Sequence, residues 1–296
     1  MRHTAREKAI LLTAISSLLW GSSFVAVKVG LRYMDPVGFA FWRTLGAGIL
    51  LTLLVSRDDL SWYVGNQRIW LLGVLNGAAF AAQNIGMLQT TASKAAFYVN
   101  LGFAGVALLS WLFLGENFGR GKILSLFLAA VGVAGLATGF RRSALSGGSL
   151  FGDALVIAAG LLWAGYFVMT KRLLHEPGVK IVPLTGSVLL ATGLLLLPVT
   201  AVFGRWSVRE PLLASTVLAY TMVFCSAIPL VLWARGLKDL TPTASAVILL
   251  AEPVFGALFG FALLGERFSA GEGLGAILIL LAIALYSRSE ARTNDR

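Results

Sequence analysis

The chain is a succession of long apolar segments separated by short polar ones. Apolar runs of about 17 to 25 residues recur along its whole length, and each could cross a hydrocarbon core as an α-helix. The runs lack the strict alternation of membrane-barrel strands. The pattern therefore predicts ten spanning helices, near residues 9–30, 36–55, 69–89, 92–113, 122–140, 152–173, 179–203, 212–237, 242–264 and 270–286.

Two short motifs occur twice, in the same order. LLWGSSFVAVK at 18–28 is matched by LLWAGYFVMTK at 161–171, and WLFLGENFGRG at 111–121 by FALLGERFSAG at 261–271. Chance similarity of apolar segments is the alternative, but two motifs in one register favour a true duplication. Because each copy holds five spans, an odd number, the second copy must enter the membrane from the opposite side.

The duplication predicts the domain organisation. We expect a first five-helix repeat over residues 1–143 and a second over 144–296. The predicted fold is an all-α polytopic membrane protein with ten transmembrane helices, arranged as two inverted five-helix repeats around a central cavity.

Composition agrees with a membrane protein. Hydrophobic residues make up 57% of the 296 positions and charged residues 13%, with a mean hydropathy of +0.82, whereas a soluble domain carries about 25% charged residues. The basic start followed by an apolar run resembles a secretory signal, but the run continues to about Gly30 and is too long for one. We interpret it as the first spanning helix.

The charge distribution predicts the orientation. The net charge of +10 comes from basic residues at helix flanks, which favours a lipid environment over nucleic acid as the partner. With a cytoplasmic N-terminus, fifteen Lys and Arg residues fall on the cytoplasmic side and eight on the other. We therefore expect a multi-pass protein of the bacterial inner membrane with both termini in the cytoplasm.

The repeated motifs also carry a family resemblance. LLWGSSFVAVK, the Arg in FAFWRTLGAG at 39–48 and AEPVFGALFGFALLGERFSAGEGLGAILIL at 251–280 resemble the drug/metabolite transporter superfamily, in its ten-helix EamA-type branch. The resemblance covers nearly the whole chain and implies a basket of helices around a central cavity. Layout and aromatic content are also similar to YddG-type exporters of aromatic and neutral amino acids.

Several intramembrane side chains are candidates for substrate binding. Trp20 and Trp163 occupy equivalent, mid-membrane positions of the two repeats, away from the interfaces where Trp concentrates. Amides in hydrocarbon are costly unless they meet a partner or water. Helix packing and interhelical hydrogen bonds are the alternative roles for the whole set. The predicted substrate-binding residues are Trp20, Trp163, Asn76, Phe80, Gln83, Asn84, Tyr98, Asn100, Tyr220 and Phe224.

Two charged residues lie deep within predicted spans. Glu252 could take up a proton, pair with Arg43 or bond backbone groups exposed by Pro253, so either ion coupling or a structural role is open. The first repeat has no equivalent of the Glu252–Pro253 pair. Pro229 and Pro253 interrupt the backbone ladder and are candidate hinges.

These features predict a secondary transporter that exports aromatic or neutral amino acids, or similar small metabolites, by alternating access. A multidrug exporter of hydrophobic cations is the alternative, with Glu252 and aromatic side chains attracting the cation. With one cysteine, Cys225, two histidines and scattered acidic residues, the sequence favours neither an enzyme nor a metal site, and it predicts no cofactor. The expected partners are a small-molecule substrate, the lipid bilayer and protons.

Overall fold

The computed structural model describes residues 2–204, 206–265, 267 and 269–294, and this part of the chain is helical without strands. The α-helices are α1 (Arg2–Gly30), α2 (Pro36–Thr52), α3 (Arg57–Gly65), α4 (Gln67–Met87), α5 (Ala92–Asn100), α6 (Gly102–Leu114), α7 (Arg120–Thr138), α8 (Leu150–Leu174), α9 (Ile181–Phe203), α10 (Pro211–Met222), α11 (Ile228–Asp239), α12 (Pro242–Leu249), α13 (Ala251–Leu264) and α14 (Ala270–Asn294). A 3₁₀ turn at Arg142–Leu145 and a π-helical segment at Val223–Ala227 complete the list.

The predicted all-helical membrane fold is confirmed. Nine helical segments of the described chain are long and apolar enough to span a bilayer. The tenth predicted span is α2, which has 17 residues and begins at Pro36 with Asp35 as its N-cap. Its side chains are mostly apolar, and about half of its residues are buried. It differs from the other nine spanning segments only in being shorter.

The fourth and ninth spans, predicted over 92–113 and 242–264, are each one spanning segment with a single-residue irregularity in its helix. Leu101 separates α5 from α6, and Leu250 separates α12 from α13. In both spans the first piece starts from a threonine N-cap, Thr91 or Thr241, whose side chain accepts a backbone N–H three residues later. The backbone of Leu101 and of Leu250 stays in the right-handed helical region, so neither span is unwound there.

Glycine contacts show that the two halves pack in the same way. A Cβ on Gly236 of α11 would lie 2.8 Å from the carbonyl oxygen of Ala9 in α1. Gly86, at the equivalent point of α4, faces the carbonyl oxygen of Gly152 in α8, where a Cβ would lie 2.9 Å away. Thus α1 packs on the end of α11 in the same way as α8 packs on the end of α4.

Polar contacts place the helix ends on two opposite faces. We define the terminal face by contacts among Arg6, Glu290, Arg68, Glu176, Asp59 and Lys180. We define the distal face by contacts among Tyr33, Arg209, Gln89, Ser149, Lys94 and Asp153. Helix α1 runs from the terminal to the distal face, whereas α8, its equivalent, runs from the distal to the terminal face. The equivalent first helices of the two halves therefore run in opposite directions between these faces.

Candidate functional site

One group of predicted residues meets halfway along the spans. The indole N–H of Trp163 donates to Asn76 Oδ1 at 3.0 Å, and Asn76 Nδ2 donates to Thr192 Oγ1 at 3.1 Å. The ring of Phe80 packs edge-on against Trp163, with centroids 5.4 Å apart. We call Asn76, Phe80, Trp163 and Thr192 the amide cluster. It joins α4 of the first half to α8 and α9 of the second.

A second group of polar residues lies where α1 and α2 meet the eighth span. Arg43 Nε donates to Ser226 Oγ at 2.7 Å, and its Nη2 donates to the carbonyl oxygen of Cys225 at 2.6 Å. Ser22 Oγ lies 2.9 Å from Tyr220 Oη and 3.8 Å from Cys225 Sγ. We call these five residues the arginine cluster. It joins α1 and α2 to the middle of the eighth span.

Local chain geometry explains why an arginine is needed there. Pro229 has no N–H, so the carbonyl oxygen of Cys225, four residues earlier, lacks its usual helical donor. The π-helical segment at Val223–Ala227 lies at the same point and widens the helix. Arg43 therefore satisfies a carbonyl that proline leaves open, in a place where water is scarce.

Glu252 faces the arginine cluster across the interface. It is half-buried in the first turn of α13, its backbone contacts Gly21 of α1, and its carboxylate interacts electrostatically with Arg43 and with Cys225. In the described residues it forms no ion pair within 4 Å with any basic group. Pro253 lies in that same first turn, and its missing N–H leaves the carbonyl oxygen of Leu249, four residues earlier, without its usual helical donor.

The other predicted site residues occupy varied positions. Gln83 and Asn84 are half-buried on α4, and their amides make no hydrogen bond within the described chain. Asn100 donates to the carbonyl oxygen of Ala96 in its own helix, at 2.8 Å. Tyr98 is half-buried and packs on a neighbouring aromatic ring.

The remaining predicted residues, Trp20, Tyr220 and Phe224, take part in two aromatic contacts. Tyr220 and Phe224 stack at 5.4 Å and keep 39% and 45% of their surface exposed. Trp20 does not meet Trp163: it packs against Trp233, with centroids 6.4 Å apart. Trp233 itself is fully buried and donates to Ser245 Oγ.

A cavity of about 420 Å³ opens at the terminal face, between Lys171, Arg172 and Thr241. Its wall includes Glu116, the acidic residue of the repeated LGE motif. Thr243 and Tyr286 donate hydroxyl hydrogen bonds to Glu116 at 2.6 and 2.8 Å, and Lys122 lies 3.6 Å from it. Glu116 thus joins four helices at this face. The equivalent acidic and aromatic positions of the second motif, 266 and 268, lie outside the described residues.

Sequence reasoning missed Thr192, Ser226, Ser22 and Trp233 as partners of the predicted residues. One signal was present for Ser226 and Cys225, because a proline inside an apolar span always leaves the carbonyl four residues earlier in need of a donor. The arginine in the second span was the one strong donor available at that depth.

Comparison with known proteins gives the family. The profile of the EamA-like transporter family matches residues 7–138 and 150–288. An uncharacterized transporter of Archaeoglobus fulgidus is 29% identical over 294 residues, covering 96% of this chain and 99% of that protein. An S-adenosylmethionine/S-adenosylhomocysteine transporter of Chlamydia muridarum is 25% identical over 295 residues, covering 96% and 93%.

A solved structure supports the fold. A crystal structure 18% identical in sequence superimposes with a TM-score of 0.81 and covers 97% of this chain and 99% of its own. At that identity the likeness concerns the fold alone. Together with the family match over both halves, these findings establish that the chain belongs to the EamA-like transporter family and is a membrane transporter, not an enzyme.

Proposed function

We propose that this transporter exports neutral amino acids, aromatic ones included, or similar small metabolites across the bacterial inner membrane by alternating access. The observation that carries the proposal is the pair of opposite charges near mid-membrane. Arg43 lies in the middle of α2 and Glu252 in the middle of the ninth span, on opposite halves of the molecule, and no ion pair joins them within the described structure.

This arrangement suits a zwitterion. Arginine has five N–H donors, and two of its nitrogens bind Ser226 and Cys225, which leaves further donors for a carboxylate. Glu252 offers an acceptor to an ammonium group. A zwitterion placed between them would neutralise both charges, which is favourable because unpaired charges are costly at this depth.

The surroundings suit a side chain that is neutral or aromatic. The amide cluster supplies neutral donors and acceptors beside the rings of Phe80 and Trp163. The other candidate lining residues of the predicted central cavity are Trp20, Gln83, Asn84, Tyr98, Asn100, Tyr220 and Phe224. A pocket of mostly aromatic walls with a few placed polar groups is the usual form of a small-molecule site.

The named substrates of the chlamydial relative, S-adenosylmethionine and S-adenosylhomocysteine, both contain an α-amino-acid group. That chemistry agrees with an arginine and a carboxylate as the shared recognition elements. Protons are the proposed coupling ion, with Glu252 as the group that would bind one when the zwitterion leaves.

Counterflow in proteoliposomes tests the substrate class. We expect preloaded phenylalanine or another neutral amino acid to drive uptake of its radiolabelled form, and Glu252→Gln to weaken that exchange at least about tenfold by removing the ammonium partner. Ethidium is the second substrate, because a hydrophobic-cation exporter would use the same carboxylate with Tyr220 and Phe224. Uptake of ethidium without any amino-acid exchange would contradict the proposal and establish the cation exporter instead.

Transport measured with and without a proton gradient distinguishes a role of Glu252 in proton coupling from a role in substrate binding. If Glu252 carries the proton, the gradient should accelerate net amino-acid flux in the parent protein and leave the Glu252→Gln variant unaffected. Flux that responds equally to the gradient in both proteins would remove Glu252 from the coupling step while leaving the substrate class intact.

A further inference from the structure

The cavity at the terminal face lies where the ends of three spans meet. Its volume of about 420 Å³ falls within the range of about 300–1,000 Å³ that is usual for small-molecule sites. The lining residues are Leu114 and Glu116 at the end of the fourth span, Lys171, Arg172 and His175 at the end of the sixth, and Thr241 and Pro242 at the start of the ninth. None of them belongs to the amide cluster or the arginine cluster, so the cavity is a candidate site of its own.

The acidic side chains around this cavity already have basic partners. The carboxylate of Glu116 also accepts hydroxyl hydrogen bonds from Thr243 and Tyr286. The ion pairs are Glu116 with Lys122, Glu176 with Arg68 and Glu290 with Arg6. Because their charges are compensated in this way, these acids do not make the cavity negative.

Lys171 is fully engaged with the backbone of a neighbouring helix. Its Nζ donates to three carbonyl oxygens, those of Leu237, Lys238 and Leu240, at 2.8, 2.9 and 2.6 Å. An ammonium group has three N–H donors, and all three are used here. Its charge also interacts with Asp239. Lys171 therefore adds positive charge to the cavity wall but no further donor.

Arg172 and His175 keep donors or lone pairs available at the mouth of the cavity. Both side chains are exposed, and Arg172 makes no ion pair within the described residues. Its Nη2 donates to the carbonyl oxygen of Phe113 at 2.6 Å, and a guanidinium group has five N–H donors, so most of them stay available. The Nδ1 of His175 lies 2.9 Å from the carbonyl oxygen of Lys171, while its Nε2 forms no hydrogen bond in the described part of the chain.

The cavity continues onto a surface that faces lipid. Trp111, Leu112 and Phe113, the three residues before Leu114, are 57%, 55% and 55% exposed. They belong to the fourth spanning segment, so their exposed apolar side chains contact acyl chains. The guanidinium group of Arg172 lies over the ring of Phe113, 5.6 Å from its centroid. A molecule bound by Arg172 therefore has the cavity on one side and the acyl chains of the bilayer on the other.

We propose that this cavity is a specific site for an anionic phospholipid, whose phosphate binds Arg172 and His175. Guanidinium groups bind phosphate oxygens through paired N–H donors, and the protonated imidazole adds another donor. Basic pockets between spanning helices bind anionic headgroups in this way. The acyl chains lie along Trp111, Leu112 and Phe113. A phosphatidylcholine headgroup fits the site less well, because it brings a second cation towards Arg172.

Thermal melting of the purified protein in detergent tests the site. The probes are dioleoyl phosphatidylglycerol, dioleoyl phosphatidylcholine and inorganic phosphate at equal concentrations. We expect phosphatidylglycerol to raise the melting temperature by at least about 3 °C more than phosphatidylcholine, because a ligand of the folded state stabilises it. Inorganic phosphate should have no effect, since it has no acyl chain to place on α6.

Either of two results with the parent protein would overturn the proposal. Equal shifts from the two lipids would show that the negative headgroup is not recognised. A shift from inorganic phosphate as large as that from phosphatidylglycerol would assign the cavity to a soluble phosphate compound instead of a lipid.

Two variants locate the bound lipid, and a third is the matched control. Arg172→Gln removes the charge but keeps an amide that can bond the carbonyl of Phe113, and we expect the apparent affinity for phosphatidylglycerol to fall about tenfold in a melting titration. His175→Glu leaves Arg172 in place and adds a carboxylate at the cavity, so it should abolish the extra shift. Arg235→Gln removes an exposed arginine near the same end of α11 that does not line the cavity, and the full shift should remain.

The variants also give results that contradict the site. A phosphatidylglycerol shift that survives in both Arg172→Gln and His175→Glu would show that the lipid binds elsewhere. An Arg235→Gln protein that loses as much affinity as Arg172→Gln would show that general surface charge attracts the lipid. If Arg172→Gln does not fold, His175→Glu decides the question with Arg235→Gln as its control. None of these measurements uses an amino acid, so their outcome is independent of the proposed substrate.

Discussion

The arginine in the middle of α2 acts first as a donor to the backbone of another helix. In Arg43→Leu the carbonyl of Cys225 and the hydroxyl of Ser226 lose their partner. Leaving buried polar groups unsatisfied costs about 1–3 kcal/mol. We expect the melting temperature in detergent to fall and substrate exchange to be lost, and both can be measured on one preparation.

Pro229→Ala supplies the matched test of that explanation. Alanine at this position restores the N–H that the carbonyl of Cys225 lacks. The double variant Arg43→Leu/Pro229→Ala should therefore recover part of the lost stability but none of the transport. If Pro229→Ala does not restore stability to Arg43→Leu, the lost hydrogen bond to the carbonyl of Cys225 is not the cause of the destabilisation.

The amide of Asn76 links the two halves through two hydrogen bonds. Asn76→Ala leaves the indole N–H of Trp163 without an acceptor, whereas Thr192 can still donate to Val188 in its own helix. Interhelical hydrogen bonds in membranes are worth about 0.6 kcal/mol on average, and up to about 1.7. We expect modest destabilisation and a several-fold weaker substrate affinity, measured by counterflow competition.

Asn100→Ala is the control for the stability change in Asn76→Ala, because its amide bonds only its own helix. A double cycle of Asn76→Ala with Trp163→Phe should show coupling, since each variant removes the same bond. Additive effects would show that the contact between Asn76 and Trp163 contributes nothing of its own.

At the scale of helices, the close packing of α7 against α14 depends on glycine residues at their contact. A Cβ on Gly275 would overlap the backbone of Gly135 and Leu136, while a Cβ on Gly273, two residues earlier in the same helix, would meet nothing within 4 Å. We expect Gly275→Ala to destabilise by about 1–3 kcal/mol through overpacking. Gly273→Ala should be neutral or stabilise by up to about 1 kcal/mol. Thermal melting of both variants checks the pair.

Helix existence and order could be predicted from the sequence because apolar runs and flanking charges mark each span directly. The breaks at Leu101 and Leu250 could not, since both residues are apolar and helix-compatible, and only the threonine caps eight or more residues earlier hint at separate pieces. The π-helical segment could not be predicted from its own residues either. Its cause is the neighbouring Pro229 and the donor on another helix, and neither is a property of the segment itself.

The candidate site could be predicted only in part. The sequence marks polar and aromatic residues within spans as unusual, and the structure brings Asn76, Phe80 and Trp163 together. Partner choice depends on tertiary packing. Trp20 and Trp163 have equivalent sequence contexts, yet Trp20 packs against Trp233 and Trp163 donates to Asn76.

The distribution of basic residues predicts how the whole molecule is oriented in the bilayer. The helix ends that share a face with Arg6, Lys180 and Glu290 carry most of the Lys and Arg residues, and such ends stay on the cytoplasmic side of an inner membrane. Reporter fusions after Arg57 and after Gly204 read the two faces independently. We expect a fluorescent cytoplasmic reporter to be active at the first site and alkaline phosphatase at the second.

Each fusion site has a matching site in the other half that should lie on the same face. A fusion after Leu88 should behave like the one after Gly204, and one after Glu176 like the one after Arg57, because the halves cross the membrane in opposite directions. If all four sites reported the assignments reversed, the fold would stand and the orientation would be wrong. If the sites after Arg57 and Gly204 reported one side, the inverted arrangement itself would fail, since an odd number of crossings separates them.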